Sequence, residues 1–510
     1  MAEDKLSPSS LEVEHVPVEQ LSTSHREFLL ARHGTLDLVP LPTASPNDPL
    51  NWSSWRKHVI ILLVSLHAMM CLFMGAGIIP AYKEMAEEMG VSLQSATYFT
   101  SMQIIMLGLA PLVWRPIAMQ IGLRPVWLIS TFCSTLCNIG CACSKTYGAM
   151  SVSRLLVAFF ISPAMALGPE VVTQIFFSAE RGQKMGFWTL MVTLGPSLGP
   201  LLMSFVAFHI GWRWIFWIFT IINFVQFVLY LLLSPETSLS AADPHPREST
   251  LSFRARYFRF HRLSQDSLKL SDFFIPLTVA RHHVIWVTTV AYSVIFNFAF
   301  VLLSVEIPQI YEINFHLNTQ EVGLQFLGMI IGGIIGEQAA GPLGDFLMSS
   351  FAKRHNGQRA EPEFRLWLSY LGYATVIAGF LIWGFRTADD ELQHHYEVSP
   401  IVGIGISSFG AQVITTSVFT YMVDCYPGES AEIGIFANVV RQVWGFIGPF
   451  WFPSMFRSVG IKGSAGIMVG VTVVASLLPI IGVQCVGRRM RGKATVNLEA
   501  VAQAEEISNV

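Results

Sequence analysis

The chain has 510 residues, 52% of them hydrophobic and only 13% charged, with mean hydropathy +0.50 and a formal net charge of −3. Soluble domains carry about a quarter charged residues. A soluble core cannot absorb this apolar excess without exposing it, which excludes an ordinary water-soluble enzyme, and the charge balance gives nucleic acid no electrostatic footing.

Residues 1–57 are polar, with Pro, Ser and Glu scattered through them, and are expected to form a disordered cytosolic tail. No signal peptide precedes the first apolar run, which is expected to act as signal anchor. The tail holds the sequon Asn51-Trp52-Ser53, expected to stay unmodified on the cytosolic side. Apolar runs follow at 58–80, 96–118, 125–144, 149–177, 186–208 and 212–233, and after a gap at 283–306, 321–346, 365–386, 398–422, 432–456 and 464–485. A hydrocarbon core about 30 Å thick takes roughly 20 apolar residues per helix. The pattern therefore predicts an all-α polytopic membrane protein with twelve transmembrane helices in two six-helix bundles, 58–233 and 283–485. Between them, the central loop 234–282 interleaves Arg254, Arg256, Arg259, Arg262 and Lys269 with Phe253, Tyr257, Phe258 and Phe260, a mixture suited to an anionic inner leaflet. Residues 486–510 form a second tail.

Lys and Arg in the loops set the orientation. With the N-terminus in the cytosol, only Lys83, Lys145, Arg213, Arg386, Arg457 and Lys462 of the 32 fall outside, and Arg154 and Arg441 fall inside spans. Both termini are accordingly expected in the cytosol.

There is no His-Glu-x-x-His, Walker loop or Gly-x-Ser-x-Gly. No enzyme activity, cofactor, metal or ATP site is expected, which leaves diffusion or coupling to an ion gradient. Cys133, Cys137 and Cys141 step by four along one helix face, but the span offers no partner ligands at that depth, so they read as small packing residues. Gly195-Pro196-Ser197-Leu198-Gly199-Pro200 in the fifth span and Gly445-Phe446-Ile447-Gly448-Pro449 in the eleventh occupy equivalent places if the chain is two six-helix halves. Gly allows close approach and Pro a bend. Internal repeats around a midplane site are the architecture of alternating access.

These and further motifs carry a family likeness. Asp48-Pro49-Leu50-Asn51-Trp52 and Trp55-Arg56-Lys57 precede the first span. Gly211-Trp212-Arg213-Trp214-Ile215-Phe216 opens the sixth, and Pro235-Glu236-Thr237 follows it. Gly341-Pro342-Leu343-Gly344-Asp345, Pro362-Glu363-Phe364-Arg365-Leu366-Trp367 and Arg441-Gln442-Val443-Trp444 lie in the second half. Over roughly residues 48–485 the sequence resembles the major facilitator superfamily, specifically its twelve-span drug:proton antiporter group of fungi. The resemblance implies two bundles rocking around a central cavity, and makes Gly195, Pro196, Gly199 and Pro200 the antiporter motif. One departure is plain: Met119, Gln120 and Leu123 stand where the family's loop after the second span has Asp, Arg and Arg. The cytosolic lock is then expected to rest on Arg124 with Glu180, and on Asp345 and Arg354 with Asp424.

A charge in lipid costs about 3 kcal/mol or more and usually faces a cavity or a partner. Arg154 falls where the family's fourth-span motif has an Arg linked to proton transfer, with snorkelling to the outer interface as the alternative. Glu170 lies 16 residues on, about 24 Å along a helix, too far to pair with it. Glu337 and Arg441 fall at matched depth and are expected as a buried pair. Glu170 and Glu337 are the candidate titrating carboxylates, and Arg154 and Arg441 the charges that modulate them. Substrate contacts are expected from His67, Thr173, Gln174, Tyr292, Asn297, Ser408, Gln412 and Thr416, beside an aromatic surface of Phe296, Phe298 and Phe300; an apolar cavity with few polar groups suits an amphipathic organic molecule.

The expected function is proton-coupled export of such a compound, a drug-like toxin or secondary metabolite, by a monomer in the cell membrane, with the vacuolar membrane as the alternative. Its rivals are proton-coupled uptake of a cationic nutrient or polyamine and, from another class, a non-transporting membrane nutrient sensor.

Overall fold

The computed structural model describes residues 21–45, 48–237, 268–354, 361–393 and 397–491, and among these every regular element is helical. Among the described residues eleven helices are long and apolar enough to cross a bilayer: Ser54–Met89, Leu93–Ile121, Leu123–Cys143, Tyr147–Ile175, Glu180–Ile210, Arg213–Leu233, His283–Glu312, Thr319–Phe351, Pro362–Leu392, Ser399–Cys425 and Pro427–Arg489. The last runs 63 residues. As one rod it would be roughly 95 Å long, three bilayer cores. It turns back at Gly460, whose φ of 71° and ψ of 177° lie outside helical space. Glu432 and Arg488 accordingly lie at one end, paired with Arg115 and Glu361, while Lys462 at the other end pairs with Asp389. The helices are consistent with twelve spans, and the ordinals below count 430–459 as the eleventh and 461–489 as the twelfth. We call the end carrying Ser54 and Leu233 basal and the opposite end distal.

The two Gly–Pro motifs have matching partners. A Cβ on Gly195 would stand 2.6 Å from the Met69 carbonyl oxygen and 3.0 Å from the Leu72 Cβ; one on Gly199 would stand 2.6 Å from the Phe73 carbonyl oxygen. The fifth span thus lies on the backbone of the first. In the second half a Cβ on Gly445 would meet Phe296 and Val301, and one on Gly448 would meet Asn297 Oδ1 at 2.6 Å, so the eleventh span lies on the seventh. First with fifth and seventh with eleventh are the same pair shifted by six spans.

The first span is broken. Its regular helix ends at Ala76, a short 3₁₀ turn covers Ile79–Ala81, and helix resumes at Tyr82. The fourth is interrupted between Ile161 and Pro163, and the seventh carries a π-helical turn over Asn297–Leu302. Such breaks leave backbone carbonyls without their helical partners, which other helices must satisfy.

Part of the expected tail is folded. Thr23–His33 is a helix, N-capped by Ser22 and ended by Gly34 at φ 73°. Asp48 accepts bonds from the Thr43 and Leu50 amides and from the Thr43 hydroxyl, and Arg32 donates to the Asn51 carbonyl at 2.7 Å. The Ser178 amide donates to the Val39 carbonyl, which ties the segment to the start of the fifth span. Disorder through residue 57 is therefore corrected for residues 21–45 and 48–57: local polar residues close a knot whose partners no periodicity reveals. Asn51 is buried, its side-chain amide donating to Thr43 and Ser45 carbonyls, which leaves no room for a glycan. Residues 1–20, the basic stretch Arg254 to Arg262 and residues 492–510 lie outside the described residues.

Candidate functional site

The halves meet along two seams. The second span lies against the eleventh: Gln94 Nε2 donates to the Pro449 carbonyl at 2.7 Å, Asn438 Nδ2 to the Leu107 carbonyl at 3.1 Å, and Arg115 pairs with Glu432 at 2.8 Å. The fifth lies against the eighth: a Cβ on Gly323 would meet Ser204 and the Pro200 carbonyl, and one on Gly333 would stand 3.5 Å from Thr193 Cγ2. Towards the basal end, among the described residues, nothing lies within 4 Å of where a Cβ on Gly182, Gly186 or Gly341 would stand. The distal end is closed by Lys83 with Glu312 at 2.8 Å, the Thr319 hydroxyl on Glu84 at 2.9 Å, and Tyr98 stacked on Phe450. Above this clasp stands a polar cleft of about 450 Å³, lined by Lys83, Glu84, Glu87, Glu312, His316 and Asn318 among others.

Three polar clusters occupy the interior. In the first, Arg154 is fully buried, so it does not snorkel. Its Nη1 and Nη2 donate to the carbonyls of Met74 at 2.9 Å and Gly75 at 3.2 Å, and its guanidinium lies 5.9 Å from the Phe216 ring. These carbonyls belong to the last turn of the helix that ends at Ala76, and a cation there meets both their lone pairs and the negative end of the helix dipole.

In the second, Arg441 donates to the Tyr292 hydroxyl at 2.8 Å and to Asn438 Oδ1 at 2.7 Å, with its guanidinium 4.7 Å from the Phe296 ring. Asn438 carries the bond to Leu107 of the other half, so this cluster bears on the seam. Asn297 is buried beside Gly448.

In the third, Glu337 accepts from the Gln412 amide, which also reaches Thr193 of the other half at 3.2 Å. Close approach sets this geometry: a Cβ on Gly336 would stand 2.8 Å from the Phe409 carbonyl and 2.9 Å from the Gln412 Cβ. Ser408, one turn from Gln412, is buried and its hydroxyl finds no partner among the described residues; Thr416, one turn the other way, is half-buried. Nearer the basal end Glu170 accepts from Gln174 at 3.0 Å, and Thr173 is exposed.

The deciding observation beside this geometry is that the model of the Major Facilitator Superfamily matches residues 63–449. The chain belongs to the Major Facilitator Superfamily. It is similar to the MFS transporter cpaT of Aspergillus oryzae, 27% identical over 445 residues that cover 85% of this chain and 87% of that one. It is also similar to the efflux pump mfs2 of Aspergillus flavus, described as probable, 23% identical over 79% of this chain and 96% of that one. Its fold matches the crystal structure of the human organic anion transporter MFSD10, with TM-score 0.54 and 15% identity over 84% of this chain and 99% of that one. As a superfamily member it is a transporter of small molecules across a bilayer and not an enzyme.

Several expected contacts are not formed. Glu337 and Arg441 do not pair: the eighth span faces the tenth and fifth, and the eleventh faces the second and seventh, so equal depth does not bring them together. His67 does not face the cavity. It is buried inside the first bundle, within 3.3 Å of the Tyr230 hydroxyl and 3.2 Å of Ser130 Oγ, with its ring edge-on to Trp127. Arg124 does not rest on the exposed Glu180. The backbone amides of Leu123 and Arg124 donate to Glu236 at 3.1 and 3.0 Å, and the Arg124 guanidinium reaches the Leu231 carbonyl. Gly122, at φ 91°, packs so tightly on the Glu236 carboxylate that a side chain there would collide with it. In the second half it is Arg365, not Arg354, that joins Asp424 and, at 3.7 Å, Asp345. Both replacements were within the quoted motifs, Pro235-Glu236-Thr237 and Pro362 to Trp367; their signal was a charge beside a helix end, and its partner lay far off in sequence.

The sequence reading also missed Glu306. It is the last residue of the apolar run 283–306, but the helix continues to Phe315 and Glu306 is only 2% exposed inside it.

Proposed function

We propose that this transporter exports a small amphipathic organic compound, a drug-like toxin or secondary metabolite, in exchange for protons, as a monomer in the cell membrane. The observation that carries this reading is the cluster of Glu337, Gln412 and Thr193, in which a half-buried carboxylate stands at a contact between the two halves. A carboxylate at such a contact changes surroundings when the halves rock, which is what coupling a proton to alternating access requires. The efflux pump among the relatives supports the direction. The excess of Lys and Arg at the basal end supports cytosolic termini, and the distal clasp of Lys83 with Glu312 and of Thr319 with Glu84 supports access from the cytosol. Arg154, Arg441 and Glu170 are the other candidate coupling groups; Tyr292, Asn297, Ser408, Gln412, Thr416, Thr173 and Gln174 are the candidate substrate contacts.

The test uses the full chain in liposomes with rhodamine 6G as probe. An imposed pH gradient is expected to drive probe movement against its own gradient, and Glu337→Gln to abolish that drive. Probe movement indifferent to the pH gradient would remove proton coupling. A second reading, uptake of an organic cation, is favoured by Glu84, Glu87 and Glu312 in the distal cleft; lower spermidine accumulation in a strain lacking the protein would establish it over export.

A further inference from the structure

Glu306 sits where the seventh span passes under the distal clasp. Its helix packs against the 3₁₀ turn of the first span and against the eleventh span. The carboxyl is 2% exposed, and among the described residues its Oε1 has no hydrogen-bond partner and no cation stands within ion-pairing distance. Most of the charges around it have partners of their own. On the first span Lys83 pairs with Glu312, and Glu84 holds Thr319 through Oε1 while its buried Oε2 has no partner among the described residues. On the ninth, Asp389 pairs with Lys462, Asp390 takes the Glu397 amide and Glu391 takes Asn314. Glu321, on the eighth, closes its own helix cap with Asn318. Arg457 of the eleventh span acts on Glu306 electrostatically, but from an exposed position.

Tyr82 directly follows the 3₁₀ turn of the first span on which the helix of Glu306 packs. Its hydroxyl donates to Thr100 Oγ1 at 2.6 Å, Thr100 donates to the Gly75 carbonyl at 3.1 Å, and that same carbonyl accepts from Arg154. A short chain of buried groups thus runs from Tyr82, beside the turn that the helix of Glu306 covers, to Arg154.

We propose that Glu306 takes up a proton as the distal end closes, so that closure and proton loading are one event. The inference rests on the proton-coupled reading above. An ionised carboxylate sealed from water without a partner is costly, and one carrying a proton is not. With the distal end open, the first and seventh spans separate and water reaches the carboxylate. A hydronium ion there gives its proton to Oε1, leaving water and a neutral acid that the clasp can cover. Closure is therefore favoured as pH falls.

The test measures the distal opening by electron paramagnetic resonance on the full chain in liposomes, with spin labels at Glu87→Cys and Gln320→Cys and with the exposed Cys143 and Cys485 changed to Ser. In the parent, the short-distance population is expected to grow as pH falls. In Glu306→Gln, which mimics the neutral acid, it is expected to be high at every pH. Glu306→Asp keeps a titrating acid and is expected to keep the response with a moved midpoint, so a misfolded Gln variant does not end the test. A parent population indifferent to pH, or an unchanged response in folded Glu306→Gln, overturns the proposal. Rhodamine 6G efflux separates the two levels. If a pH gradient still drives efflux while the distal distance ignores pH, Glu306 is refuted and proton coupling stands. If the distance titrates through Glu306 while efflux ignores the gradient, proton coupling fails and Glu306 is a pH-sensitive gate alone.

Discussion

Replacing Arg154 by lysine keeps the buried charge and removes the fork. The guanidinium bonds two carbonyls at once, Met74 and Gly75, at the end of the first helix segment. A hydrogen bond involving a charged group contributes about 1.5–3 kcal/mol, and a buried carbonyl left without its donor costs about 1–3 kcal/mol. Lysine is a point donor on a flexible stem and can keep one of the two bonds, so Arg154→Lys should cost roughly 2 kcal/mol. Arg154→Gln loses the charge as well and should cost roughly 4 kcal/mol or more. The assay is thermal unfolding of detergent-purified full chain followed by size-exclusion fluorescence, with pH-driven rhodamine 6G efflux measured beside it. The expected order of melting temperatures is parent, Lys, Gln. Because the two carbonyls sit where the first span breaks, efflux should fall in the same order. Lys and Gln variants that both melt with the parent would refute the claim that Arg154 holds this helix end.

Gly199→Val should prevent recovery of monodisperse protein, and Gly199→Ala should cost about 1–3 kcal/mol, because the added carbon meets the Phe73 carbonyl, which is backbone and cannot step aside. The melting losses of Glu337→Gln and Arg441→Gln should add in the double variant to within about 0.5 kcal/mol, since their partners are separate; clear non-additivity would mean that the two do meet. Arg365→Gln should increase thiol labelling of cysteines placed at the basal end, by releasing Asp424 and Asp345, while Arg354→Gln leaves labelling unchanged. His67→Phe should lower the melting temperature through lost contacts with Tyr230 and Ser130 and leave the KM for rhodamine 6G where it was; a raised KM would return His67 to the cavity.

Apolar runs were enough to find the spans, because a helix in lipid must satisfy its own backbone and cover about 30 Å with nonpolar residues. That requirement is local and is written in each run. The paired Gly–Pro motifs were legible for a similar reason, since small residues record where one backbone lies on another. Depth along a helix follows from residue number, which is why Glu337 and Arg441 were placed at one level and why Arg154 and Glu170 were kept apart. Rotation about each helix axis, and which helix stands beside which, are set by packing among all the spans. Those two unknowns decided every failed pairing: Glu337 turns to Gln412, Arg441 to Tyr292 and Asn438, and Asp424 to Arg365. His67 faces inward to its own bundle for the same reason. Glu306 escaped notice because hydropathy falls before a helix ends, and only the covering first and eleventh spans make its carboxyl a buried one. The sequence by itself determined that this chain threads a membrane as paired halves of a facilitator. Which polar groups face one another across those halves was decided by the tertiary structure alone, since side-chain direction depends on neighbours hundreds of residues away.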